Sequence, residues 1–132
     1  MANKKVKFSK KKKSKRVVKD AVVHVLASYN NTFITITDPK GQTLVTYTPA
    51  KLGFKNTKKR TAYAATQAAM ACAQQVMEKF GTETVKVYLK GVGLGRNPAV
   101  KGLASAGLKV KSIIDVSRPP FNGPRPRKKP RK

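Results

Sequence analysis

The sequence predicts an α/β domain: a mixed five-stranded sheet with two crossover helices, in the order β-β-β-α-β-α-β, with a basic extension at each end. Three observations predict it. Five short apolar or alternating stretches are separated by turn residues, two helical segments stand between the last three of them, and the excess of positive charge and proline collects outside the stretch they occupy.

The elements follow in order. Ala21 to Ala27 is apolar at every position except His24. That is the pattern of a strand covered on both faces, so it is placed centrally, with His24 as a core histidine. The Asn30-Asn31 turn leads into Phe33 to Thr37, where Ile34 and Ile36 alternate with threonines. Asp38-Pro39-Lys40-Gly41 then turns the chain into Thr43 to Thr48, completing a meander. From Thr61, the residues Ala62, Ala65, Ala69, Cys72, Val76 and Phe80 recur every three or four positions until Gly81, which reads as one long amphipathic helix. Cys72 is expected there as a small packing residue. Val85, Val87 and Leu89 alternate with Lys86, Tyr88 and Lys90 as a fourth strand. After a glycine-rich loop, Asn97 as N-cap and Pro98 at the first helical position begin a short helix ending at Gly107, and Val110 to Val116 forms the fifth strand. Gly102 inside that helix costs ~1 kcal/mol relative to alanine, so a close neighbour is expected against it.

Charge divides the chain into three. Thirty Lys and Arg against five Asp and Glu leave a net +25 on 132 residues. Residues 1–16 are expected to be a basic arm that is disordered until RNA orders it, residues 17–117 the α/β domain, and residues 118–132 a proline-stiffened basic strap. So much like charge repels itself unless a polyanion neutralises it, which makes nucleic acid the expected partner. No apolar run is long enough to span a membrane or to serve as a secretory signal, and an intracellular compartment is expected. One cysteine and one histidine exclude an internal disulfide and a zinc constellation. No cofactor or metal is expected. Metal-assisted phosphoryl chemistry needs clustered carboxylates, and Asp20, Asp38, Glu78, Glu83 and Asp115 are scattered, so no enzyme is predicted.

The topology has a functional consequence. With the first, third, fourth and fifth strands parallel, the Asn30-Asn31 turn, the loop from Pro49 to Arg60, the loop from Lys90 to Asn97 and the strap all leave one carboxyl edge, where open α/β folds place ligands. Lys51, Lys55, Lys58, Lys59, Arg60, Lys90, Arg96 and Lys101 belong to that edge, as do the strap's seven basic residues, among them Arg118, Arg125, Arg127, Lys128 and Lys129. The arm enters at the opposite edge, so the molecule has two positive poles. Lys90-Gly91-Val92-Gly93-Leu94-Gly95-Arg96-Asn97 precedes a helix N-terminus, which suits a backbone phosphate flanked by Lys90 and Arg96. A tight turn that needs glycine for its backbone alone is the plainer reading. A dinucleotide fingerprint fails because Arg96 stands where the third glycine belongs. Lys55 to Arg60 either sits in solvent or converges on phosphates near the long helix. Phe54 and Phe121 either stack on bases or anchor their loops. Asn122-Gly123 is a sterically open site for isoaspartate formation, which peptide mapping of aged protein reads directly.

The run Ala21-Val22-Val23-His24-Val25-Leu26-Ala27-Ser28-Tyr29-Asn30-Asn31-Thr32-Phe33, the glycine loop, and the stretch from Ile114-Asp115-Val116 through Phe121-Asn122-Gly123-Pro124-Arg125-Pro126 to Lys129 resemble one family. It is the universal eleventh protein of the small ribosomal subunit, in its bacterial or organellar form. The resemblance covers about residues 17–132. It implies a ribonuclease-H-like fold without catalytic carboxylates, bound to small-subunit ribosomal RNA on the platform. There the family bridges RNA helices near the cleft where messenger RNA leaves, and contacts the seventh, eighteenth and twenty-first small-subunit proteins. Carried over by motif position, Asn30, Asn31, Lys55, Gly91, Gly93, Gly95, Arg96, Asn122, Gly123 and Arg125 are expected near RNA. Val92, Leu94, Phe121 and Pro124 depart from the common bacterial pattern. With twenty-three Lys to seven Arg and no Arg-rich presequence, these departures favour a mitochondrial ribosome over a bacterial or plastid one. The rival from another class is a nucleoid-type DNA architectural protein, which charge alone allows.

Overall fold

The computed structural model describes residues 16–131. Strands β1 (Asp20–Ala27), β2 (Thr32–Thr37) and β3 (Thr43–Tyr47) form the meander. Two single-turn 3-10 segments, Pro49–Leu52 and Asn56–Arg60, lead into helix α1 (Ala62–Phe80). Strand β4 (Thr84–Gly91), helix α2 (Arg96–Ser105) and strand β5 (Lys109–Asp115) complete the domain. The sheet order is β3-β2-β1-β4-β5, with β2 antiparallel to both neighbours and β4 parallel to β1 and β5. The predicted α/β class and element order therefore stand. α1 begins where the Thr61 hydroxyl accepts the Ala64 N–H at 3.3 Å and ends on Gly81 at φ +64, a left-handed stop that glycine takes without penalty.

Both crossovers, β3 to α1 to β4 and β4 to α2 to β5, step across the sheet in the same direction between parallel strands. With the usual right-handed connection, both helices must then cover the same face. The core follows from this. Ala21, Val23, Val25, Ile34, Ile36, Val45, Val85, Val87 and Leu89 point toward Ala68, Ala69, Cys72, Ala73, Val76, Ala99 and Leu103. Gly102 lies where α2 crosses α1: a Cβ there would stand 2.7 Å from the Thr66 carbonyl oxygen and 2.8 Å from the Ala69 Cβ, which is the close neighbour the sequence required.

One-sided cover also corrects several expectations. β1 is central but is buried on one face only. Val22 is half-buried, while His24 and Leu26 are exposed, so His24 is a surface ring and not a core histidine. It stacks on Tyr88 with ring centroids 5.5 Å apart. Asn97 does not cap α2: Gly95 is the cap, Arg96 the first helical residue and Pro98 the third. Pro98 is tolerated because N–H groups of the first turn have no partner inside the helix. α2 ends at Ser105 rather than Gly107, and Gly107 follows at φ +110. In α1, Ala62 is exposed, and Ala64, Ala68 and Ala73 join the buried set, because this helix packs against the sheet on one side and against its neighbour α2 on another. The expectation for the arm falls on residues 1–15, outside the described residues. Arg16 at its foot contacts Gln42 and lies 3.8 Å from the buried Asp38 carboxylate in the β2–β3 turn, at the amino edge.

Candidate nucleic-acid interface

At the carboxyl edge, the glycine loop is the piece on which the others rest. Gly91 sits at φ +97 with its α-carbon against the Ala27 carbonyl, Gly93 lies against the Ser28 carbonyl, and Gly95 lies against the Thr32 hydroxyl and the Ala65 methyl. Any side chain at these three places would collide with its neighbours. The loop is thereby packed onto both the β1–β2 turn and the first turn of α1. The plainer reading, a turn that needs glycine for its backbone alone, fits only Gly91; Gly93 and Gly95 keep ordinary φ and are held to glycine by close packing, which brings three separate segments together.

The turn itself is self-braced. Ser28 N–H donates to the Asn31 carbonyl at 2.9 Å, Asn31 N–H to the Ser28 Oγ at 3.1 Å, and Thr32 N–H to the Asn31 Oδ1 at 2.8 Å. These bonds engage the Asn31 Oδ1 of a half-buried side chain, while the neighbouring Asn30 is exposed. The loop's own N–H groups are partly committed, Gly93 donating to the Ala27 carbonyl and Gly91 to the Ser117 Oγ, both at 3.0 Å. The first-turn donors at α2 belong to Arg96 and Asn97, since Pro98 has none.

Arg96 is tied into the fold. Its guanidinium reaches Asp115 Oδ2 at 2.7 Å, while Asp115 Oδ1 accepts the Ser117 N–H at 2.9 Å. The Ser117 backbone and hydroxyl, and then Arg96, hold the Asp115 carboxyl down to about 2. Val116 N–H also donates to the Leu89 carbonyl at 2.8 Å. This clamp fixes the root of the strap beside the glycine loop. Asp115 and Ser117 hold the strap root, a role the sequence did not reveal: Asp115 stands out there as one of five scattered carboxylates and within the Ile114-Asp115-Val116 stretch, and nothing in the spacing links it to Arg96.

The basic run is placed less uniformly. Lys51 folds back, its ammonium 3.3 Å from the Thr46 carbonyl and 4.1 Å above the Tyr47 ring, so part of its charge is engaged within the domain. Lys55, Lys58 and Arg60 are exposed and Lys59 is half-buried. The last three immediately precede α1, whose first turn contains no acid. Three cations beside the positive end of a helix dipole repel one another unless an anion joins them. Phe54 packs edge-on to Tyr63 at 6.0 Å and so anchors its loop, whereas Phe121 is 91% exposed. Lys90 and Lys101 are exposed near the same edge. From Arg118 through Asn122, Gly123, Arg125, Arg127, Lys128 and Lys129 the strap has no regular secondary structure and is exposed throughout, with Asn122 at φ +60. Asp115, already paired, is the only acid at this edge; Asp20, Asp38, Glu78 and Glu83 lie at the opposite one.

Sequence comparison decides what kind of molecule carries this edge. The profile of the family described as ribosomal protein S11 matches residues 21–131. The chain belongs to the ribosomal protein S11 family. Among its curated relatives is the small ribosomal subunit protein uS11 of Vesicomyosocius okutanii subsp. Calyptogena okutanii (strain HA), 44% identical over 125 residues that cover 95% of this chain and 97% of the relative. The uS11 of Dichelobacter nodosus (strain VCS1703A) is 48% identical over 121 residues, covering 92% and 91%. That of Francisella tularensis subsp. novicida (strain U112) is 48% identical over 123 residues, covering 93% and 95%. As an S11-family member the chain is a structural constituent of the small ribosomal subunit and not an enzyme, and the DNA-architectural reading falls away. No helix among the described residues is long and apolar enough to cross a membrane.

Proposed function

We propose that the chain binds small-subunit ribosomal RNA through the carboxyl edge, with the glycine loop, the Asn30-Asn31 turn, the Lys55–Arg60 run and the strap forming one contact surface, and that it bridges RNA helices on the platform beside the messenger-RNA exit cleft. One observation carries the reading. The β1–β2 turn, the first turn of α1 and the root of the strap all meet the loop of Gly91, Gly93 and Gly95, at an edge rich in Lys and Arg whose single acid is already paired. A surface of that kind is satisfied by phosphates, which supply affinity without reading sequence. The strap lies beyond the last strand and free of the core, so it follows an RNA groove at no cost to the domain's packing.

The seventh, eighteenth and twenty-first small-subunit proteins are the protein neighbours this location brings. The relatives reported above are bacterial and lend no support to the mitochondrial expectation drawn from the lysine excess. Hydroxyl-radical footprinting of small subunits reconstituted with and without the chain tests the proposal. Protection confined to platform helices, reduced when Lys58, Lys59 and Arg60 are replaced together by alanine, is the expected result. Protection elsewhere on the particle would overturn the location, and none at all would overturn RNA binding.

A further inference from the structure

The sheet face opposite the helices has no cover among the described residues, and its composition is not that of a plain solvated surface. Register aligns Thr35, His24, Tyr88 and Ile114 in one row across four strands, and Phe33, Leu26 and Lys90 in the next row toward the carboxyl edge. On the other side of the ring row lie Val22, Lys86 and Ser112. Leu26 and Phe33 on inner strands are exposed by 44% and 41%, large values for apolar side chains in the middle of a sheet, and Ile114 on the edge strand β5 by 41%. His24 and Tyr88 stand nearly parallel, with 14° between their planes. Beside Tyr88 opens a cavity of about 340 Å³, lined also by Val22, Pro39, Lys86 and Lys111.

We propose that this face is a platform on which unpaired RNA bases stack, an extension of the RNA-binding reading of the carboxyl edge, on which it rests. A stacked ring pair on central strands, His24 exposed and Tyr88 half-buried, with lysines flanking it along β4, is what a splayed single strand requires: each base has a π-face for the rings, and its phosphate meets an ammonium. Lys86 and Lys90 bracket Tyr88 along β4, about 13 Å apart on the four-residue spacing. Lys90 also opens the glycine loop, so a strand leaving that loop passes directly onto the face. The one acid nearby, Asp20, is held by Thr84 and by Lys111, the latter at 2.9 Å, and so does not repel phosphate. A second copy of the chain fits poorly, because it would set the same lysines against themselves.

The test uses the full chain with two probes, an unpaired oligoadenylate and a fully paired RNA stem. His24 is the only histidine, so its ring protons are an isolated NMR reporter. Oligoadenylate of about ten nucleotides is expected to move them upfield by ring current, and Tyr88→Ala to weaken that complex about 10-fold, with Tyr88→Phe restoring it and stem binding nearly unchanged. If oligoadenylate binds with His24 unmoved, or Tyr88→Ala weakens both probes alike, the platform is refuted while stem binding leaves the carboxyl-edge reading intact. Failure of the unaltered chain to bind either probe overturns both readings. His24 signals that move with protein concentration alone assign the face to a second copy. A photocrosslinking side chain at Phe33 that joins protein instead of RNA in purified subunits assigns it to a neighbouring protein. Either result overturns the proposal.

Discussion

Asp115 is exposed, yet its carboxyl is held down to about 2 from an ordinary 3.8 by Ser117 first and Arg96 second. A folded value below the unfolded one means that the clamp's contribution is complete above about pH 4 and is lost as the pH falls from 3.8 toward 2. Arg96→Ala should therefore move the Asp115 midpoint upward, as read from its carboxyl carbon in an NMR titration, and should also weaken RNA retention on a filter, because the clamp on the strap root and one cation of the proposed RNA surface are lost together. An unmoved midpoint would show that Arg96 does not hold the carboxylate. Cys72 provides the contrast. It is fully buried, with its thiol pushed up to about 12 by burial, so it should resist alkylation in the native protein and react only in urea. Cys72→Ser should leave RNA affinity unchanged yet cost about 1–2 kcal/mol of stability, since the hydroxyl has no partner in that apolar site. At this scale the sequence was legible for Cys72, whose surroundings of alanine announce packing. It was illegible for His24, because a polar residue within an apolar run reads the same whether it faces a core or an open surface.

Packing between elements rests on a few small residues whose replacement has a predictable sign. Gly102→Ala gains ~1 kcal/mol of helix propensity, but its Cβ would stand 2.7 Å from the Thr66 carbonyl and 2.8 Å from the Ala69 Cβ. Overpacking of that kind costs about 1–3 kcal/mol, so the net effect should be destabilising, seen as a lower urea midpoint. A higher midpoint would mean that α2 shifts freely on α1. Gly93→Ala should be worse for function than for the fold, because it forces the glycine loop away from the β1–β2 turn; RNA binding should fall further than thermal stability when the two are measured side by side. Most elements were readable from turn residues and periodicity, including all five strands and both helices. Two features were not. Asn97-Pro98 carries the chemistry of a helix start, yet the close seat of Gly95 against Thr32 and Ala65 begins α2 earlier. The apolar outward residues of β1, Val22 and Leu26, imitate two-sided burial, and only the common direction of both crossovers reveals that one face stays open.

For the whole molecule, net charge decides the conditions of binding. If ~6 to 10 phosphates are neutralised, affinity for small-subunit RNA should fall by roughly 10³ to 10⁵ between about 50 and 200 mM salt. A flat response in that range would remove phosphate contact as the source of affinity. The distribution of charge matters as much as its sum, and it was legible because lysine runs and prolines mark both ends of the chain while the segment between them has ordinary composition. How the ends are rooted was not legible. Arg16 is held at the Asp38 turn, and Ser117 is held beside Gly91 at the far end of the same sheet. The fifteen residues that follow Ser117 have a contour length of about 50 Å, twice the roughly 26 Å run of the eight-residue β1. Rooted at one corner of the sheet, such a segment can reach a surface that the folded body itself does not touch.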